Sequence, residues 1–182
     1  MEPVTRFAQH DAGDLIASAA AGDEFAFRSI IAAHHDDMRR VCMYIAGDRA
    51  IADEATQAAW VIAWKRIGSV REPARLRPWL MAVAVNEAKQ LLRKRRRRAE
   101  IEVGTGGSLE PGGMDPSEDV GTLDLRRVLD RLDPDDRALL AMRYGAGFNS
   151  NELSAATGIS PSGTRSRIER LLKRLREDLD DG

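Results

Sequence analysis

Asn149 is followed three residues later by Glu152, and Gly158 and the pair Ser160-Pro161 punctuate what comes after. Asparagine with glutamate at that spacing is the pattern of a capping box, which opens a short helix to about Ala156. Thr157-Gly158-Ile159 reads as a tight turn. Ser160 with Pro161 starts a longer helix, because proline at the first helical position gives up an N–H that has no helical partner anyway. Ile168, Leu171, Leu172, Leu175 and Leu179 share its inner stripe, while Arg165, Arg167, Arg170, Lys173 and Arg174 share its other face. The spacing predicts a helix-turn-helix over 149–174, whose second helix fits the major groove and offers its first turns to base edges. Ser162, Gly163, Arg165, Ser166 and Arg170 fall there. Arginine can contact guanine with two donors, and hydroxyls can bond bases or phosphates. The bland alternative is a solvated charged face on a helical hairpin.

A second basic feature, Arg93-Lys94-Arg95-Arg96-Arg97-Arg98, ends an earlier helix. Such a run binds phosphate without sequence preference, or is simply a solvated helix end favoured by the helix dipole. Trp60, Trp64 and Trp79 lie nearby and invite base stacking. Trp60 and Trp64 are one turn apart on an apolar stripe, which favours core packing for both. His34-His35-Asp36-Asp37 does not make a metal site, because adjacent helical residues diverge by about 100°. No phosphate-binding glycine loop, nucleophile elbow or Cys/His cluster is present, so neither catalysis nor a cofactor is implied. Cys42, the one cysteine, cannot form an internal disulfide and reads as a buried, inert thiol.

The elements that must position these residues are helical. Helix formers dominate the 182 residues and strand-like alternation is almost absent. A short helix runs from Asp14 to Ala20. Asp23 caps the next, which carries Phe27, Ile30, Ile31, His34, Met38, Val41, Cys42 and Ile45 on one stripe. Further helices span about Ile51 to Ile67 and Leu76 to Arg98, separated by the loop GSVREPAR. Pro78 is tolerable only in a first helical turn and restricts Arg77 to extended geometry. After position 122, Leu125, Val128, Leu129 and Leu132 mark an amphipathic helix, and Asp133-Pro134 opens another to about Tyr144. Between the halves, Gly104 to Gly121 reads as a flexible linker rich in Gly, Pro, Ser and acidic residues.

The charge map agrees. Residues 1–98 carry net +5, residues 99–122 carry six acidic and no basic side chains, and residues 123–182 balance, giving −1 in all. Pooled neutrality therefore hides a basic block and an acidic connector. No apolar run approaches the roughly 20 residues that cross a bilayer, and the N-terminus has no apolar signal region. The expectation is a cytoplasmic, all-α chain without membrane contact of its own: a tail (1–13), a helical domain (14–98), an acidic flexible linker (99–122) and a helix-turn-helix domain (123–182).

Taken together, the segments resemble a bacterial RNA polymerase sigma factor of the extracytoplasmic function group, over nearly all of residues 14–178. Residues 21–27, AGDEFAF, look like the family's G-D-x-x-A-F opening. Asp53 to Trp60 resembles its D/E-D-L-V-Q-E-T-F segment, and Leu76 to Asn86 its F-x-x-W-L-x-x-I-A-x-N segment. Leu132 to Arg137 and Gly158 to Arg167 match its last domain. The resemblance implies that Asp53, Glu54 and Gln57 grip the clamp of the largest core polymerase subunit. It implies that the loop Gly68 to Arg75, with Arg71, Arg75, Trp79, Asn86, Lys89 and Arg93, holds an opened −10 element and a flipped base. It assigns the −35 duplex to Ser162, Gly163, Arg165, Ser166, Arg167 and Arg170, with Arg143 on the DNA backbone. Partners implied are core polymerase, promoter DNA and an anti-sigma protein. Ala55, Ala58 and Ala59 depart from the family's Leu, Glu and Thr, which bears on the clamp contact. A dimeric helix-turn-helix regulator is the competing expectation, and a helical enzyme using His34, His35, Asp36 or Asp37 a third.

Overall fold

The computed structural model describes residues 12–104, 129 and 131–180. Among the described residues seven α-helices follow one another: α1 (Ala12–Ala20), α2 (Glu24–Ala46), α3 (Arg49–Arg66), α4 (Leu76–Gly104), α5 (Pro134–Leu140), α6 (Ser150–Thr157) and α7 (Pro161–Asp180). Two 3-10 turns, Ile67–Ser69 and Pro73–Arg75, join α3 to α4. A π-helical turn, Ala141–Gly145, prolongs α5 where a single helix to Tyr144 was expected. No strand occurs among the described residues, as the all-α expectation required.

Local capping chemistry sets most helix starts. Asp23 accepts from the N–H groups of Phe25 and Ala26, and Asp48 from that of Ile51. At Asn149 both halves of the capping box are formed: the side chain accepts from Glu152 N and the Glu152 carboxylate accepts from Asn149 N. α4 runs six residues past its expected end at Arg98, to Gly104. The rest of the expected linker lies outside the described residues, as do 1–11 of the tail and most of the helix expected around Leu125 to Leu132.

Arg77 is helical, against the extended geometry expected before proline. Pro78 sits in the first turn of α4, where its missing N–H costs no hydrogen bond. The side-chain contacts of Arg77, described below, offset the preference of a pre-proline residue for extended backbone.

Small residues let the first four helices close on one another. Ala52, Ala55, Ala59 and Ala63 on α3 are fully buried against α2 and α4, beside Met38, Val41, Cys42, Ile45, Leu80 and Ala84. Ala55 and Ala59 therefore act on core packing rather than on an outside partner; of the three departures, only Ala58 retains partial exposure. Cys42 is buried as expected; burial pushes its thiol up to about 11, and it donates to the Ala84 carbonyl.

α5 lies across the C-terminal end of α2, so the apolar core continues from the first half into the second. Asp133 opens α5 by accepting from Asp135 N at 2.8 Å and Asp136 N at 3.0 Å. Burial pushes the Asp133 carboxyl up, but these donors, with Arg167 nearby, hold it below the ordinary value of 3.8. A depressed native value means the cap stabilises above the unfolded pKa and is lost as pH falls through the lowered one. Asp133→Ala is expected to cost about 1 kcal/mol at pH 7. In urea titrations the gap from wild type narrows as pH falls through the lowered value and the wild-type carboxylate protonates; a gap that stays the same throughout the acid range would refute the cap as its source.

Candidate nucleic-acid and polymerase interfaces

α6, its turn and α7 form the expected helix-turn-helix. Gly158 closes α6 with φ +76°, a left-handed conformation that glycine adopts without steric cost, and its N–H reaches Ser154 O at 2.8 Å. Ser160 Oγ accepts from Gly163 N at 3.1 Å to start α7. Gly163, expected at DNA, has a steric duty: a Cβ there would meet Ile159 Cγ2 at 2.9 Å and Ser160 Oγ at 3.0 Å.

The α7 cations divide into two sets. Arg165, Ser166 and Arg170 are exposed, as is Ser162, with Arg170 Nε donating to Ser166 O. Arg167 points instead into the protein, 2.6 Å from the buried Asp136 carboxylate, which Arg174 also reaches at 3.3 Å. Its first task is to hold α7 on α5. Arg143 donates to Phe148 O at 2.8 Å, which bridges the π-helical turn to the loop before α6.

In the first half, Arg71, Arg75, Pro78 and Trp79 border a cavity of about 340 Å³, with Arg75 held by Glu72 at 3.0 Å. Asn86 and Lys89 lie one turn apart on α4 and border a separate cavity of about 410 Å³. Arg93 is exposed, whereas Arg95 of the same basic run pairs with Asp48 at 2.6 Å. Burial raises the Asp48 carboxyl, and the bonds from Arg95 and Ile51 N more than offset it, leaving a lowered pKa.

Asp53 is only half available, because Arg39 holds it at 2.7 Å and Arg49 approaches to 3.8 Å. Glu54 and Gln57 are exposed on the same helix. Val61 extends their face and is 56% exposed, a large apolar side chain on a polar stripe. The signal was in the sequence, since Val61 stands four residues after Gln57, but the α3 register was needed to read it. Trp60 is buried and donates to His35 Nδ1, as core packing required. Trp64, expected beside it in the core, is 39% exposed and meets the Phe27 ring edge-on at 4.9 Å. The interior is closed by Trp60 and by alanines smaller than any aromatic, leaving Trp64 at the rim.

His35 is committed to Trp60, and Asp37 pairs with Arg40 and Arg77. Burial, then the Arg77 guanidinium, hold His34 below its ordinary range, so it is neutral at pH 7. Among the described residues no group of three His, Cys, Asp or Glu is arranged to hold a metal, and no helix is long and apolar enough to cross a membrane.

Comparison with known proteins converges on one family. Sigma-70 region 2 matches residues 30–98 and Sigma-70 region 4 matches residues 122–175, more than half of the chain between them. The RNA polymerase sigma factor CarQ of Myxococcus xanthus is 29% identical, over 88% of this chain and 92% of CarQ. RfaY of Xanthomonas campestris, also named as an RNA polymerase sigma factor, is 26% identical over 88% of this chain, which spans 42% of RfaY. The ECF RNA polymerase sigma factor SigM of Mycobacterium tuberculosis H37Rv is 26% identical over 92% of this chain and 85% of SigM. Among solved structures, the sigma factor RpoE in complex with the anti-sigma factor NepR, from Bartonella quintana, shares the fold. Its TM-score is 0.68 at 23% identity, covering 85% of this chain and 96% of RpoE. With a helix-turn-helix behind a four-helix core, matched in that order by region 4 and region 2, the chain belongs to the sigma-70 family as an extracytoplasmic function RNA polymerase sigma factor.

Proposed function

We propose that the chain is the cytoplasmic promoter-specificity subunit of a bacterial RNA polymerase, without chemistry of its own, and that its two halves divide the task. Residues 14–98 hold core enzyme through Glu54, Gln57 and Asp53 on α3, with Val61 extending that face. The same half holds the opened −10 strand on Arg71, Arg75, Trp79, Asn86, Lys89 and Arg93. Residues 123–182 read the −35 duplex through Arg165, Ser166 and Arg170, with Ser162 close by. Residues 99–122 tether them, so that two modest DNA contacts on one enzyme reinforce each other through effective concentration. An anti-sigma protein is the proposed inhibitor, by likeness to RpoE with NepR.

The exposure of Arg165, Ser166 and Arg170 on the α7 face away from Asp136 is the observation that carries the −35 reading. A tagged chain is expected to retain core polymerase subunits in a pull-down, to run alone as a monomer near 20.1 kDa, and to bind a promoter specifically only with core present. A dimer that binds a palindrome tightly without core would replace this reading with that of a conventional regulator.

A further inference from the structure

The first turns of α7 hold a single acid, Glu169, among their cations. It is exposed and falls, in helical projection, between Arg165 and Ser166, on the side away from the buried Ile168 and Leu171. Cations stand four residues before it, at Arg165, and four residues after it, at Lys173, the spacing at which side chains on a helix pair. Neither takes it. Lys173 reaches Glu177 at 3.7 Å instead, and Arg170 Nε is turned to Ser166 O at 3.2 Å. Glutamate four residues before lysine pairs better than the reverse order, yet among the described residues Glu169 has no hydrogen-bond or ion-pair partner.

An acid at that place works against the phosphate attraction that draws a cationic helix to DNA. In the major groove a bond must offset the repulsion, and an ionised carboxylate can only accept. Guanine shows two acceptors there, thymine an acceptor and a methyl group, and adenine a donor beside the N7 acceptor. Cytosine alone offers a donor, its N4 amino group, with no acceptor on the same edge. Four residues of helix cover about 6 Å, just under two base steps of about 3.4 Å.

We propose that Glu169 is a specificity-determining residue of α7 that selects a cytosine of the −35 duplex, on either strand, within about two base pairs of the guanine contacted by Arg165. Its charge accepts from that base and repels the acceptors of the other three. The inference rests on the reading of α7 as the −35 helix.

The test uses the full chain assembled with core polymerase and a promoter library randomised over the −35 region, with the bound DNA sequenced. Wild type is expected to enrich cytosine about tenfold over the other bases at one position, the worth of one base-edge bond. Glu169→Ala should flatten that position to within about twofold while the guanine preference beside it persists. Glu169→Gln should move the preference from cytosine to adenine, whose N6 donor and N7 acceptor match the glutamine amide; removal of a surface charge cannot by itself produce that exchange. Both variants should keep the wild-type urea midpoint, because the exposed side chain makes no bond within the fold. If E169A strengthens binding to every sequence alike and E169Q selects no adenine, Glu169 is only a repelling charge and the proposal is overturned. Arg165→Ala is sequenced in parallel. If it erases a guanine while both Glu169 variants keep the wild-type profile, the −35 reading stands and the role of Glu169 fails. If it too leaves the profile unchanged, the assignment of α7 to the −35 duplex fails first, and the role of Glu169 with it.

Discussion

Asn86→Ala is expected to slow open-complex formation on a duplex promoter by roughly tenfold to a hundredfold, the worth of about 1–3 kcal/mol of base contact. On a template with a pre-melted bubble at −10 the same variant should come within a fewfold of wild type. Flipping a base from a duplex costs a few kcal/mol, which a protein recovers only through the pocket that receives it. A bubble removes that cost beforehand. Arg165→Ala should behave in the opposite way. Losing a bidentate contact to guanine removes about 1–3 kcal/mol of discrimination, so initiation falls on the preferred −35 sequence and changes little on a mutated one, bubble or no bubble. Reconstituted transcription on four templates, with −35 and bubble varied independently, checks both. Equal losses by the two variants on every template would refute the proposed separation of tasks.

Arg137→Ala is expected to destabilise the chain strongly and to loosen the second half from the first. Arg137 is 5% exposed, and its guanidinium donates to Ile45 O at 2.9 Å and to Leu132 O at 3.3 Å. Ile45 is the penultimate residue of α2, where carbonyls have no helical partner, so a cation from the second half caps a helix of the first and also meets the negative end of its dipole. Truncation leaves two buried carbonyls short of a donor, each costing about 1–3 kcal/mol, against a typical total stability of only 5–15 kcal/mol. A fall of about 2–4 kcal/mol in the free chain is the expected reading from urea titration followed by far-UV circular dichroism. Arg143→Ala is the comparison: Arg143 is exposed and spans a local turn, so its loss should cost about 1 kcal/mol. Comparable midpoints for the two variants would show that Arg137 does not tie the halves together.

What the chain determines by itself is local. Asp23, Asp133-Pro134, Asn149 with Glu152, and Ser160 with Gly163 start their helices through bonds spanning two or three residues, and the 3.6-residue period then selects the inner stripe. Helix type, helix starts and the helix-turn-helix were therefore legible without coordinates. Periodicity misjudges a residue at the rim of a stripe, as at Trp64, because it gives direction and not depth. Composition cannot assign a cation its partner. Arg167 and Arg165 look alike in sequence; only the placement of α5 beside α7 brings Asp136 to Arg167 and leaves Arg165 facing out. Likewise, Arg77 is an ordinary arginine until folding brings Asp37, 40 residues away, and Glu152, 75 residues away, within bonding distance. Side-chain charge acts over a few ångströms whatever the sequence separation, so which cations stay free for a partner was decided by the packing of distant helices.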